Sequence, residues 1–114
     1  MLASFFNKIH VNHLDAKTFE KKIEETTDSV ILDVRTEDEF YHTRIPNSVL
    51  IDIYEETFPH EILKLDKSKS YFVYCRSGSR SNSACQFMMK NGFEKVYNLE
   101  DGIVSWVGKL EQGE

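Results

Sequence analysis

The segment best suited to chemistry is the run Cys-Arg-Ser-Gly-Ser-Arg-Ser at residues 75 to 81. It follows the apolar run 71–74 and precedes a segment with helical periodicity, so Cys75 is predicted to lie where a strand ends and a helix begins. A helix N-terminus and adjacent arginine lower a thiol pKa from about 8.5 into roughly the range 3.5 to 7.5. Cys75 is therefore the candidate nucleophile. The residues predicted to bind a substrate around it are Arg76, Ser77, Gly78, Ser79, Arg80 and Ser81.

The charge beside this cysteine is opposite to that of the chain as a whole. The 114 residues carry 14 basic and 19 acidic side chains, a formal net charge of −5, which argues against a nucleic-acid or acidic-membrane surface. Arg76 and Arg80 nevertheless place two positive charges beside Cys75. Arg80 falls in the first turn of the predicted helix, where the helix dipole disfavours a cation. The sequence therefore predicts an anion in front of Arg80.

Other residues of chemical interest receive structural interpretations. Cys85 lies among apolar residues of the predicted helix and is expected to pack. Arg35 is expected to pair with Glu39, and Asp33 to lie by the pocket rim, where a functional role stays open. The four histidines, at positions 10, 13, 42 and 60, lack metal-ligand spacing, so they are expected on the surface and no metal site is predicted.

The elements that must position Cys75 alternate between strands and helices. Continuous apolar runs predict strands covered on both faces, and Asp15 and the Thr36–Glu39 spacing are expected to cap helices. The predicted strands are 9–11, 30–34, 48–51, 71–74 and 95–97. The predicted helices follow Asp15, Thr36 and Thr57, cover 81–90, and close the chain with Ile103, Val104, Trp106, Val107 and Leu110. Residues 111–114 are expected to fray.

This alternation predicts an α/β domain with a mainly parallel sheet covered by helices on both faces. Ligands of such sheets bind beyond the carboxyl ends of the strands, and Cys75 falls at such an end. The length predicts a single domain over residues 1–114, with its core at about 9–110. The chain shows neither a secretory signal nor a run of about 18 apolar residues, so a cytoplasmic location is expected.

Cys-x-x-Gly-x-Arg after a strand resembles the active-site loop of the rhodanese family of sulfurtransferases. Three other stretches resemble that family in the same order: the start at 9–14, the Asp-Val-Arg-x-x-x-Glu-Phe segment at 33–40, and the closing segment 96–103 followed by Trp106. The likeness covers roughly residues 9 to 108. Where the family usually has Gly-His-Ile-x-Gly-Ala, this chain has Thr43-Arg44-Ile45-Pro46-Asn47-Ser48, and the position of Thr43 and Arg44 relative to the pocket stays open.

The resemblance implies a rhodanese-like three-layer fold with a five-stranded sheet, and a two-step sulfur transfer that needs neither metal nor organic cofactor. In the first step the Cys75 thiolate takes the outer sulfur of thiosulfate or a persulfide. In the second, cyanide or a thiol removes that sulfur from the Cys75 persulfide. The implied partners are a small sulfur-containing anion and its acceptor, with a sulfur-relay protein as a further option and neither nucleic acid nor membrane.

Two alternatives stay open. One is a non-catalytic sulfur carrier or a module that docks on a partner protein. The other is a cysteine phosphatase, because phosphatases that share this fold use Cys-x5-Arg, commonly after a histidine. Here four residues separate Cys75 from Arg80, and Tyr74 precedes the cysteine. The shorter loop makes a narrower cup, which suits one sulfur atom better than a phosphoryl group with three equatorial oxygens.

Overall fold

The computed structural model describes residues 9 to 114, which are organised around one parallel sheet. Its five strands are β1 (Asn12–Leu14), β2 (Ser29–Asp33), β3 (Ser48–Leu50), β4 (Ser70–Tyr74) and β5 (Val96–Leu99). Their order in the sheet is β1-β5-β4-β2-β3, and each pair of neighbours runs parallel. β4 is therefore central, and the carboxyl ends of β2 and β5 lie on either side of its own.

Four helices connect these strands. They are α1 (Ala16–Glu25), α2 (Glu37–His42), α3 (Phe58–Leu63) and α4 (Ser79–Lys90). Both predicted caps are confirmed: Asp15 Oδ1 accepts the Thr18 N–H at 2.8 Å, and Thr36 and Glu39 form a reciprocal capping box. No helix within residues 9–114 combines the length and the apolar character that crossing a bilayer requires.

The side chains of β4 show why the sheet needs a layer on each face. Successive residues of a strand point to opposite faces, so Tyr71 and Val73 pack with α3 and α4, whereas Phe72 and Tyr74 pack on the face covered by α1. On the α1 side, Phe19 meets the Phe72 ring edge-on at 5.6 Å between ring centroids. All five β4 residues are buried. The predicted three-layer α/β fold with a five-stranded sheet is confirmed.

The first strand lies three residues later than predicted, at 12–14 rather than 9–11. Within residues 9–114 it pairs with β5 alone, and the pairing begins with Asn12 opposite Tyr97. The apolar Val11, which suggested a strand, instead packs against the core. The Asn12 side chain donates to the Val96 carbonyl at 3.2 Å, so a side chain satisfies the acceptor before the backbone pairing starts.

The predicted closing helix is wrong. Only Ile103–Ser105 form a short 3₁₀ turn, and Val104, Val107 and Leu110 are exposed. Ile103 donates to the Cys75 carbonyl at 2.9 Å and Val104 to the Arg76 carbonyl at 3.4 Å, so the first free N–H groups of the turn bind the Cys75 loop. Further along, Glu111 exchanges backbone hydrogen bonds with Arg44, which an α-helix running to Leu110 and beyond would not allow. The apolar pattern resembled a helix because two of its members, Ile103 and Trp106, do pack against the core.

Residues 111–113 are held in place and do not fray as predicted. Glu111 and Arg44 exchange both backbone hydrogen bonds, at 2.8 and 2.9 Å, and Gly113 donates to the Tyr41 carbonyl at 2.7 Å. The Arg44 guanidinium adds an ion pair to Glu111 at 3.6 Å. These contacts bind the C-terminal segment to the end of α2.

Candidate active site around Cys75

Cys75 directly follows the central strand, at the carboxyl edge of the sheet as the sequence predicts. The residue is 1 % exposed, and its side chain turns into the loop of residues 75 to 81. Its Sγ accepts hydrogen bonds from the Gly78 N–H at 3.1 Å, the Ser81 N–H at 3.4 Å and the Ser81 hydroxyl at 3.3 Å. The predicted loop thus surrounds one sulfur atom with donors.

These donors favour the thiolate over the thiol. Burial raises the pKa of Cys75, but the hydrogen bonds from the Ser81 hydroxyl and from the amides of Ser81, Gly78 and Ser77 outweigh burial, so the pKa lies below its ordinary 9.0. Cys85 is the contrast within the same chain. It is fully buried in α4, where burial raises its thiol pKa well above the ordinary value, so the packing interpretation of Cys85 fits the structure.

Two glycines allow the loop to lie against the chain segment that follows β5. Gly78 has a φ of 98°, and a Cβ there would fall 1.9 Å from the Glu100 carbonyl oxygen. Gly102 has a φ of 71°, and a Cβ there would fall 2.0 Å from the Arg76 carbonyl oxygen. Glycine is needed at both positions because any side chain would push the two backbones apart.

The Arg80 guanidinium forms an ion pair that the sequence analysis assigned to a different arginine. Its two terminal nitrogens donate to the Glu39 carboxylate at 2.8 and 3.0 Å. The predicted Arg35–Glu39 pair is wrong, since Arg35 binds Asp33 through Nε and Nη2, at 2.7 Å for the shortest contact, and the Thr43 carbonyl at 2.7 Å. Asp33 is fully buried rather than at a pocket rim.

This pairing changes the expectation for Arg80. The cation was predicted to need an anionic ligand, because the first turn of a helix disfavours positive charge. Glu39 already supplies the compensating charge, and its side-chain hydrogen bonds raise the pKa of Arg80 against the opposing effect of burial. Arg76 is exposed, so its charge faces solvent at the loop. Among the loop arginines, Arg76 is thus the better placed to meet an incoming anion.

Glu39→Gln is expected to lower the free energy of unfolding above about pH 4.5 and to flatten its acid dependence. The hydrogen bonds from Arg80, and then those from Thr36, outweigh burial and hold the pKa of Glu39 at about 2, against an ordinary 4.5. A depressed carboxyl pKa stabilises the fold above 4.5, and this contribution is lost as the pH falls toward 2. At neutral pH the loss should be about 1 to 2 kcal/mol. Urea unfolding at several pH values measures both effects.

Glu37→Gln is the matched control, because Glu37 is an exposed acid in the same first turn of α2. It should leave the acid dependence close to that of the unsubstituted protein. Identical pH profiles for the two variants would contradict the role given to the Glu39–Arg80 pair.

A cavity of about 280 Å³ opens beside the loop. Its lining combines charged residues with apolar ones and includes Arg35, Glu39, Thr43, Arg76, Ile103 and Val104. Thr43 therefore borders the Cys75 loop, whereas Arg44 binds the C-terminal segment. These are the two residues whose position relative to the pocket the sequence left open. Another cavity, of about 310 Å³, is lined by the carboxylates of Glu37, Asp52, Glu55 and Glu61. These charges would repel an anionic substrate.

The remaining predicted site residues fall into two groups. Ser77 and Ser79 are exposed, whereas Gly78 and Ser81 are buried beneath the sulfur. The histidines at positions 10, 13, 42 and 60 are all exposed, as predicted. Asn98, which was not among the predicted site residues, is buried and donates to the Gly78 carbonyl at 3.3 Å. The available signal was an amide side chain inside an otherwise apolar strand, where a buried polar group requires a partner.

Comparisons with known proteins agree with this architecture. The model of the rhodanese-like domain family matches residues 15–109. A sulfurtransferase of Allochromatium vinosum is 31 % identical over 96 residues, covering 84 % of this chain and 88 % of that protein. A tRNA uridine(34) hydroxylase of Cytophaga hutchinsonii is 38 % identical over 104 residues, covering 89 % of this chain but only 32 % of that longer protein.

A solved structure supports the same assignment. The crystal structure of a rhodanese-like domain protein from Staphylococcus aureus superposes with a TM-score of 0.78 at 28 % identity, covering 91 % of this chain and all of that one. The family match extends from the cap of α1 to beyond the 3₁₀ turn and includes the whole Cys75 loop. The chain therefore belongs to the rhodanese-like domain family.

Proposed function

We propose that this chain is a sulfurtransferase that carries a sulfane sulfur on Cys75. The observation that carries the proposal is the convergence of the Gly78 and Ser81 donors on one sulfur atom whose pKa is lowered despite burial. Donors fixed in advance around an anion stabilise it without reorganising during the reaction. The same ring suits the thiolate at rest and the negative charge of a persulfide.

In the first half-reaction, the Cys75 thiolate attacks the outer sulfur of thiosulfate or another sulfane donor. A bond forms between Cys75 Sγ and that sulfur, and the donor's S–S bond breaks. For thiosulfate, sulfite leaves with the electron pair, and Cys75 becomes a persulfide with its negative charge on the terminal sulfur. The exposed Arg76 guanidinium attracts and orients the donor's oxygens through charge-assisted hydrogen bonds.

In the second half-reaction, cyanide or a thiolate attacks the terminal persulfide sulfur. The Cys75–sulfur bond breaks, its electron pair returns to Cys75, and the acceptor leaves as thiocyanate or as a persulfide. Sulfur itself is the group carried, so the cycle requires neither a metal nor an organic cofactor. The proposal places this chemistry in one domain spanning residues 1–114 and in the cytoplasm, whose reducing conditions suit a working thiol.

The test is the intact mass of the protein after incubation with thiosulfate. We expect a gain equal to one sulfur atom, which is lost on adding cyanide or dithiothreitol. Peptide mapping should locate the gain at Cys75 and not at Cys85, which is fully buried with a raised pKa. A stable gain on Cys85, or a gain that cyanide does not remove, would contradict the proposed cycle.

A carrier or docking module is the second candidate function. The observation that favours it is the match to about a third of a longer relative, because a domain embedded in a larger protein can serve by presenting Cys75 to a neighbour. The mass experiment separates the two. Lack of a sulfur adduct with thiosulfate and with a low-molecular-weight persulfide would favour docking. An adduct without repeated turnover to cyanide would favour a carrier, whereas an adduct followed by multiple turnovers supports the enzyme.

A further inference from the structure

Asn98 connects the Cys75 loop to the edge of the sheet. The residue is 1 % exposed in β5, and its Nδ2 lies 3.3 Å from the Gly78 carbonyl oxygen and 3.1 Å from His13 Nδ1. His13 and Asn98 are paired opposite each other in the β1–β5 register. One amide nitrogen thus joins a loop carbonyl to an exposed imidazole on the edge strand.

The surroundings fix the orientation of the Asn98 amide. The two Nδ2 hydrogens are directed at the Gly78 oxygen and at His13, while the buried Oδ1 has no hydrogen-bond partner within residues 9–114. Turning the amide over would bring Oδ1 against the Gly78 carbonyl, placing two acceptors in contact. The carbonyl therefore selects the donating orientation. His13 supports it when Nδ1 carries no proton, because the ring then offers a lone pair to Nδ2.

Gly78 links the Asn98 amide to the Cys75 sulfur, because it is hydrogen-bonded to both. Its N–H donates to Cys75 Sγ at 3.1 Å, and its carbonyl accepts from the Asn82 N–H at 3.1 Å as well as from Asn98. Gly78 also occupies the left-handed region that lets this peptide geometry form. The N–H and the carbonyl of Gly78 lie in successive peptide planes that meet at its Cα. A hydrogen bond that anchors the carbonyl therefore also fixes the Cα from which the N–H is directed at the thiolate.

We propose that Asn98 is a positioning residue for the Cys75 loop and that His13 holds its amide in the donating orientation. A role for this network in catalysis rests on the proposed sulfur transfer. Its effect on the pKa of the Cys75 thiol can be tested separately, because the reactivity of Cys75 can be measured without a sulfur donor. Both residues lie outside the 75–81 loop and act on Cys75 through Gly78.

The experiment measures the rate at which iodoacetamide alkylates Cys75 across a pH series, in a Cys85→Ala background where Cys75 is the only cysteine. Asn98→Leu keeps a similar volume but removes both donated hydrogen bonds. Loss of the Asn98 hydrogen bond to the Gly78 carbonyl should leave the Gly78 N–H less well placed to donate to Cys75 Sγ. The thiol pKa should therefore rise, and the alkylation rate near neutral pH should fall about three- to tenfold. An unchanged pH profile would overturn the proposal.

Asn91→Leu is the matched control for a general loss of stability. Asn91 lies at the other end of α4 and also donates its side-chain amide to a backbone carbonyl, that of Phe87 at 2.8 Å. This variant should leave the Cys75 pH profile unchanged. Equal shifts in Asn91→Leu and Asn98→Leu would mean that both act through the stability of the helix, which would also overturn the proposal.

His13→Ala tests the outer member of the network and, at an exposed position, should fold whether or not Asn98→Leu does. We expect a smaller slowing of alkylation, about twofold, since the Gly78 bond to Asn98 remains. The effect should vanish in the Asn98→Leu background, because the two residues act in series. An effect of equal size in both backgrounds would show His13 acting directly on the thiolate and would contradict the network.

The outcomes also separate this inference from the proposed function. If the protein forms no sulfur adduct but Asn98→Leu still raises the thiol pKa, sulfur transfer fails while the positioning role of Asn98 stands. If the adduct forms with the same pH dependence in Asn98→Leu, the sulfurtransferase proposal stands and the positioning role fails.

Discussion

Cys75→Ser is expected to abolish sulfur transfer, with a loss of at least about 10³-fold in turnover of thiosulfate to cyanide. A serine hydroxyl stays protonated near neutral pH. In Cys75, by contrast, hydrogen bonds from Ser81 and Gly78 outweigh burial and lower the pKa of the thiol. The substitution changes one atom at a position whose neighbours are already hydrogen-bond donors, so the fold should persist. Steady-state turnover and the thermal unfolding midpoint, measured on the same preparation, test both statements.

Cys85→Ala is the matched control for the loss of a cysteine. Burial raises the thiol pKa of Cys85 among the apolar residues of α4, whereas the loop donors lower that of Cys75 despite its similar burial. We expect a modest loss of stability and turnover close to that of the unsubstituted protein. If Cys85→Ala lost as much turnover as Cys75→Ser, the assignment of the nucleophile would be wrong.

Gly102→Ala is expected to disable the site without touching the nucleophile. The new Cβ would lie 2.0 Å from the carbonyl oxygen of Arg76, 2.3 Å from its carbonyl carbon and 2.5 Å from the Ser77 nitrogen. These are backbone atoms, so the loop must move as a whole. We expect the Cys75 thiol pKa to rise toward its ordinary value, turnover to fall by about 10² or more, and stability to drop by about 2 to 4 kcal/mol.

Gly92→Ala is the control for the strain of a positive φ, because it lacks the clash with backbone atoms that Gly102→Ala creates. Gly92 also has a positive φ, 92°, but its nearest contact would be the flexible Lys67 side chain at 3.6 Å. It should cost about 1 to 2 kcal/mol of stability and leave the alkylation rate of Cys75 unchanged. A Gly102→Ala protein with normal Cys75 reactivity would contradict the role given to this backbone contact.

The parts of this fold that sequence alone predicts are those determined by neighbouring residues. The capping box at Thr36 and Glu39 depends on residues three positions apart, and the apolar run before Cys75 and the positive φ of Gly78 follow from residue type. Because a parallel sheet gathers the carboxyl ends of its strands, the position of Cys75 at that edge also follows from the alternation of elements. The family resemblance pointed to the same loop.

The parts that sequence alone misses depend on residues distant in the chain. Arg80 and Glu39 lie 41 positions apart, whereas Arg35, the partner predicted for Glu39, is only four positions away and binds Asp33 instead. The closing segment has the apolar content of a helix, but it begins on the Cys75 loop and ends in a backbone pairing of Glu111 with Arg44, 67 positions earlier in the chain. Asn98 reaches Gly78 across 20 positions. Periodicity contains no information about such pairings.

The contacts around the loop join three distant stretches of chain into a closed ring. The Cys75 carbonyl accepts from Ile103, the segment beyond Ile103 pairs with Arg44 at the end of α2, and α2 returns to α4 through Glu39 and Arg80. In a ring, a contact that opens leaves its two sides tethered by the other contacts, so reclosure costs little entropy. It also means that a load attached beyond residue 114, such as a fused protein or an affinity tag, would pull on the ring that holds the nucleophile.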